Sequence, residues 1–252
     1  MSKIIVLGGS GSLGKHVVEQ AIGAAHDVSV IVRTPSKLPE AWRNKVQIFQ
    51  ADIATIPIDQ LGANLAQYDA VINAAGLVSD GARFVTLFAH VVDSLETIDP
   101  SKRPVTWFMA GAGLLDIGNT KRRALDLPFI KKTYWPHSEN LKRLEASSLD
   151  FRLLCPGPMV EGPAIGVTNM RVALDHLPVL MPGAVKFLPD LMLVPLFASR
   201  VPELIIPFAD AAALILSNLE PKGAMSRRRV GLALPKGMRG KKDRWRAKAP
   251  AE

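Results

Sequence analysis

The sequence predicts an α/β fold: a doubly wound parallel sheet with helices on both faces and a small proline-rich cap inserted near the C-terminus. Three observations predict it. Short β-branched runs alternate with helical apolar spacing through residue 155, the pattern of parallel strands joined by right-handed crossovers. Clusters of small residues at 8–14, 74–76, 110–113 and 156–158 each follow a strand end. From 161 to 208, prolines at 163, 178, 182, 189, 195, 202 and 207 forbid one long helix.

The elements follow in order. Ile4 to Leu7 is a buried-strand run that ends in glycine. Leu13, Val17, Val18, Ala21 and Ile22 then recur at helical spacing. Val28 to Val32, Val46 to Phe49 and Ala70 to Ile72 are the next strands, the last ending in Asn73-Ala74-Ala75-Gly76. Phe84 to Ile98 has helical periodicity, and Val105 to Met109 is a fifth strand. His137 to Ser148 is read as a helix beginning after Pro136, and Phe151 to Cys155 as a sixth strand. Short helices and loops over 161–208 form the cap, Ala209 to Leu219 returns as an amphipathic helix, and Arg229 to Leu234 adds an edge strand. The expected organisation is a single domain over 1–221 and a basic tail over 222–252, unstructured after that strand.

Composition bounds the function. The chain has 252 residues, 48% apolar and 21% charged, which excludes a disordered chain, a coiled coil and a collagen-like repeat. One cysteine permits neither an intrachain disulfide nor a cysteine-based zinc site, and suits a reducing cytoplasm, the expected location. The histidines at 16, 26, 90, 137 and 176 are scattered, so no metal is expected. No apolar run approaches the roughly 18 residues of a transmembrane helix. The run Ile4–Leu7 is too short for a signal peptide and is broken by Gly8-Gly9. The net charge of +8 is uneven: 11 Lys/Arg stand against 2 Asp/Glu after residue 221, and 20 against 21 before it. No aromatic-rich or helix-turn-helix pattern accompanies the tail, so a solvated end is favoured over a nucleic-acid site. Monomer and homodimer both remain open.

The strongest motif is Gly8-Gly9-Ser10-Gly11-Ser12-Leu13-Gly14, a G-x-x-G-x-x-G between the first strand and first helix. Glycine permits the tight turn and close approach of a pyrophosphate, and the helix N-terminus holds the anion. All seven residues are candidate contacts of a dinucleotide. An acidic residue ending the second strand would favour NAD. Arg33 stands there instead, with Lys37 a turn later, so NADPH is favoured over NADH. Asp52 and Ile53, after the third strand, are candidates for the adenine, although a turn-stabilising Asp is nearly as good a reading.

The glycine loop, Arg33, Ala51-Asp52, Asn73-Ala74-Ala75-Gly76 and Leu154-Cys155-Pro156-Gly157-Pro158 resemble the atypical short-chain dehydrogenases/reductases, Rossmann-type proteins. Within these they are similar to the NAD(P)H-binding group related to NADH-flavin reductases, biliverdin reductase B and NmrA-like proteins. The resemblance covers about residues 3 to 160, not the cap or the tail. It implies that Ala74, Ala75, Gly76, Pro156, Gly157 and Pro158 flank the ribose and nicotinamide. The usual chemistry of this superfamily needs a Ser after the fifth strand and a Tyr-x-x-x-Lys on the next helix. Here Ala110-Gly111-Ala112-Gly113 has no hydroxyl, and four residues after Tyr134 stands Ser138. The implied activity is therefore hydride transfer from NADPH to a conjugated small molecule, a flavin, quinone or similar, which takes its proton from solvent. Tyr134 and His137 are the candidate catalytic residues; packing at a helix start is the alternative for both. A second implied role is a non-catalytic NADP(H) sensor of the NmrA-like type. Nucleotide-sugar epimerisation is a third, weakened by the lost Tyr-x-x-x-Lys. Cys155 reads as a buried structural thiol.

Overall fold

The computed structural model describes residues 1–128 and 130–241. The first half of the chain alternates strand and helix: β1 (Lys3–Leu7), α1 (Ser12–Gly23), β2 (Asp27–Val32), β3 (Gln47–Gln50), α2 (Ile58–Leu65), β4 (Ala70–Asn73), α3 (Ala82–Glu96) and β5 (Val105–Met109). Then come α4 (Lys131–Glu145), β6 (Phe151–Leu154), β7 (Met159–Val160), β8 (Arg171–Leu174), α5 (Asp190–Arg200), β9 (Ile206–Pro207), α6 (Phe208–Leu216) and β10 (Arg228–Ala233). Eight strands form one sheet in the order β3-β2-β1-β4-β5-β6-β10-β8, and β7 pairs with β9 apart from it. All neighbours in the large sheet are parallel except β10 and β8.

The strand order turns back between β1 and β4: β2 and β3 lie on one side, β4, β5 and β6 on the other. This is the topological switch point at which such sheets bind ligands. Side chains alternate across the strands, and β1 shows the consequence. Ile5 and Leu7 join a core with α2, α3 and α4, while Ile4 and Val6 join a second core with α1 and α6. Every one of these four is at most 1% exposed. The central strands β1, β4, β5 and β6 are buried on both faces, as those of an almost wholly parallel sheet must be.

The C-terminal third differs in detail from the sequence reading. The 161–208 region is not all cap. Arg171–Leu174 joins the main sheet as β8, antiparallel to β10. Residues 183–187 and α5, the part of that region expected to form the cap and called so below, pack on the α3/α4 core through the buried Val185 and Leu193. The strand expected at the edge, Arg228–Ala233, lies between β6 and β8, so β8 takes the edge. Part of the tail's early charge is tied to the body of the fold. Arg227 donates to the carbonyls of Ser147, Leu149 and Glu145, closing the end of α4. Arg229 pairs with Asp116 at 3.0 Å. The remainder of the tail expected to be unstructured lies, from residue 242 on, outside the described residues.

Candidate cofactor cleft

The loop after β1 is shaped by its glycines. Gly8 has φ +81°, where L side chains are strained, and a Cβ there would stand 2.9 Å from Ala75 backbone. A Cβ on Gly14 would stand 2.3 Å from the Gly8 carbonyl oxygen, so only glycine lets α1 begin tight against the loop. Gly11 sits at the N-cap of α1, and no side chain caps the helix there. The N–H groups of Ser12, Leu13 and Gly14 therefore lack intrahelical acceptors at the positive end of the helix dipole.

Beyond this loop lies a cleft of about 460 Å³. Gly8, Ser10 and Gly11 form one side, with Arg33, Asp52 and Ile53 beyond β2 and β3. Ala74, Ala75 and Gly76 close the β4 side. A second cavity of about 320 Å³ shares Ser10 and Arg33 with the first and adds Thr34 and Lys37. Its lining holds two cations, two hydroxyls and no carboxylate. A short 3-10 turn, Pro35–Lys37, returns Lys37 beside Arg33. The pair of cavities can hold an elongated anionic ligand, with its most charged end at Arg33 and Lys37.

The structure brings together nine of the sixteen candidate contacts along the first cleft: Gly8, Ser10, Gly11, Arg33, Asp52, Ile53, Ala74, Ala75 and Gly76. Gly9 lies against Val30, Leu13 is buried, and Ser12 and Gly14 belong to the first turn of α1. Pro156, Gly157 and Pro158 stand apart from the cleft lining. The Pro156 carbonyl accepts from Ala112 N–H at 2.8 Å, and a Cβ on Gly157 would meet Leu204. The Asp52 carboxylate accepts from the Ala54 amide at 3.1 Å, the turn-stabilising reading of that residue.

One wall was missed from the sequence. Arg83, Thr86, Leu87 and His90 line the cleft from one side of α3. Their spacing of three, four and seven is a helical stripe. The sequence carried that signal, but the alternating apolar residues of the core masked it.

His137 and Tyr134 stand one ring beyond the cleft. The helix expected from His137 begins at Lys131, because Pro136 removes only the bond to the exposed Lys132 carbonyl. His137 meets Phe84, a cleft residue, edge to face at 5.9 Å. The Tyr134 ring lies nearly parallel to it at 6.4 Å. Nε2 of His137 is 3.4 Å from where a Gly111 Cβ would be, at the carboxyl end of β5. Burial lowers its pKa to about 4, so the imidazole is neutral near pH 7. Its Nδ1 is buried with no hydrogen-bond partner. Cys155 is fully buried, and burial pushes its thiol far above the ordinary value, so it is inert as a nucleophile.

Among known proteins, the model of the NAD(P)H-binding family matches residues 8–177. The uncharacterized protein YwnB of Bacillus subtilis is 28% identical over 224 residues, covering 86% of this chain and 92% of its own. A crystal structure of a candidate NADH-flavin reductase from Streptococcus pneumoniae superposes with a TM-score of 0.66 at 23% identity, covering 93% of this chain and all of that one. The anaerobilin reductase ChuY of Escherichia coli O157:H7 gives 0.62 at 17% identity, covering 93% and 98%. At these identities the two structures establish a shared fold.

Proposed function

This chain belongs to the NAD(P)H-binding family, and from that premise we propose that it is an NADPH-dependent reductase acting on a conjugated small molecule, a flavin, quinone or similar. The observation that carries the reading is the two-part cavity, a glycine-walled cleft at the switch point that continues into a pocket with Arg33 and Lys37. The residues fit the cofactor. Gly8, Gly11 and the uncapped start of α1 suit a pyrophosphate, the Arg33–Lys37 pocket suits a 2′-phosphate, and Asp52 and Ile53 border the adenine end. Ala74 to Gly76 flank the ribose and nicotinamide in this reading, and Pro156 to Pro158, which stand outside the cleft lining, are left without a contact to the cofactor. The bound cofactor supplies a hydride from its reduced nicotinamide ring.

The chain's own residues then position and exclude water rather than relay a proton. Ala110–Gly113 offers no hydroxyl. His137 is neutral and presents Nε2 at Gly111, so it can orient a carbonyl by one hydrogen bond but holds no ready proton charge. Tyr134 fixes the plane of that imidazole by stacking. A conjugated acceptor suits such a site, because its reduced form can be protonated by solvent. The names of two structural relatives, an NADH-flavin reductase and an anaerobilin reductase, agree with that acceptor class.

The same missing hydroxyl supports a second reading, a non-catalytic NADP(H) sensor. Titration calorimetry with NADPH and NADH, followed by NADPH oxidation with flavin and quinone acceptors, separates them. Tighter NADPH binding with turnover supports the reductase. Binding without turnover on any acceptor moves the assignment to the sensor. Binding of neither nucleotide overturns both.

A further inference from the structure

One imidazole in the cleft has its proton placed by the protein alone. His90 is half-buried and is the last of the α3 residues that line the cleft. It stands seven residues along the helix from Arg83, about 10 Å at the rise of an α-helix. Its Nε2 lies 2.9 Å from the carbonyl oxygen of Ile56, in the loop between β3 and α2. That bond puts the ring at the Asp52–Ala54 end of the cleft, away from Ala74–Gly76. A carbonyl oxygen can only accept, so Nε2 must donate. In the neutral ring the proton therefore sits on Nε2, and Nδ1 carries a bare lone pair. The ring makes no other hydrogen bond among the described residues.

The surroundings suit a flat heterocycle. Ile53, Ala54 and Leu87 line the same stretch with apolar side chains. The polar groups beside them differ in what they can discriminate. Thr86, one turn before His90 on α3, carries a hydroxyl that donates or accepts as its partner demands, so it selects neither. The Asp52 carboxylate accepts only, and its Oδ1 is already taken by the Ala54 amide at 3.1 Å. The Nδ1 lone pair of His90 is wholly uncommitted.

We propose that His90 selects the base of the cofactor: its Nδ1 accepts a hydrogen bond from the 6-amino group of adenine. The proposal rests on the NADPH reading above, which puts the adenine at Asp52 and Ile53. With hypoxanthine in place of adenine, position 6 carries a carbonyl oxygen that has no hydrogen to give. Two lone pairs then meet in a half-buried site, so the base loses a bond and gains a repulsion. A site built to bond a donor rejects the analogue that lacks it more strongly than an apolar slot rejects a change of shape. His90 is thus a specificity residue and not a catalytic one. It stands six residues along α3 from Phe84, the ring that His137 touches.

Titration calorimetry of the full chain at pH 8 tests the proposal. The probes are NADPH and reduced nicotinamide hypoxanthine dinucleotide phosphate, which differ in the purine alone. The parent should bind NADPH at least about ten-fold tighter than the hypoxanthine form. His90→Phe keeps the bulk of the ring and loses both nitrogens. It should weaken NADPH and bring the two dissociation constants within about three-fold of each other. His90→Gln can donate an amide N–H to Ile56 and still offer an oxygen to the base, so it should keep most of the preference. Nitrogen-15 NMR of the imidazoles adds a reading that needs no folded variant. The free parent should show His90 in the Nε2–H form, and NADPH, but not the hypoxanthine form, should shift its Nδ1. Equal affinity of the parent for the two dinucleotides overturns the proposal. So does a preference that survives in His90→Phe, a ring protonated on Nδ1, or an Nδ1 that NADPH leaves unmoved. Each of these leaves the cofactor reading standing, with the base read elsewhere or not at all. A parent that binds neither dinucleotide overturns the cofactor reading and this proposal with it.

Discussion

Arg33 shows how much one side chain can decide. It lines both cavities, and with Lys37 it makes the second cavity basic. A charge-assisted hydrogen bond to a phosphate contributes about 2 kcal/mol, roughly thirty-fold in a dissociation constant. Arg33→Ala should therefore weaken NADPH by about thirty-fold and NADH by less than about three-fold, read by calorimetry; equal losses would remove the 2′-phosphate from the argument. His137 acts through its burial. Its folded pKa of about 4 lies below the unfolded value of 6.5. Between those values the unfolded chain binds more protons, so stability is full above about pH 6.5 and falls as the pH drops toward 4. The loss is on the order of 3 kcal/mol. Denaturant titrations should show that loss in the parent chain and a flatter acid limb in His137→Gln. Activity measured between about pH 6 and 8 should show no ionisation assignable to this imidazole. The glycine loop and Arg33 were legible in the sequence because each is a local signal, a short motif at a strand end. The Arg83–His90 side of the cleft was not, because it becomes a wall only when α3 docks beside β4.

Elements were legible where one periodicity acted alone. The six parallel strands from β1 to β6 stand within a residue or two of their expected places, five of them because buried strands are short apolar runs bounded by small residues. Three of the elements that escaped did so for separate reasons. α2 has only eight residues, and its buried Leu61 and Leu65 are one turn apart, too few to declare a period. α4 begins six residues early because Pro136, itself buried, forfeits only one hydrogen bond, that to the exposed Lys132 carbonyl. β8 lies in a proline-rich stretch and owes its conformation to β10, about 60 residues later, whose Gly231 pairs with Ala173. The cap is held by a similar long-range tie. Arg122 donates to the carbonyls of Leu188 and Val185 at 2.6 and 2.5 Å and pairs with Asp190. Arg122→Ala leaves all three without their cation, at a half-exposed site where water replaces part of the loss. We expect about 1.5 kcal/mol of destabilisation, a Tm lower by about 3–6 °C. Limited proteolysis should cut first within 183–200; an unchanged Tm and an unchanged cutting pattern would show that packing of Val185 and Leu193 alone fixes the cap.

At the scale of the whole molecule, charge misled where topology decides. Residues 222–252 are basic enough to read as a solvated tail, yet β10 within them is an interior strand. Its Val230, Leu232 and Ala233 and the following Leu234 are at most 3% exposed. The Cys155 amide donates to the Val230 carbonyl at 2.8 Å, and the Leu234 amide to the Glu203 carbonyl at 2.8 Å. Burying three large aliphatic side chains contributes roughly 5–8 kcal/mol. That is comparable to the whole stability of an ordinary domain, about 5–15 kcal/mol. A chain cut after residue 221 also loses the caps that Arg227 places on α4, leaves β6 as an open edge and strips β8 of its partner. It should fail to fold, appearing as insoluble protein or as a chain without a cooperative melt. A chain cut after residue 241 keeps every one of these bonds and should fold, with the cleft intact. If the shorter chain instead melts cooperatively and binds NADPH, β10 is an accessory of the sheet, and the cleft between β1 and β4 stands on the first 221 residues alone.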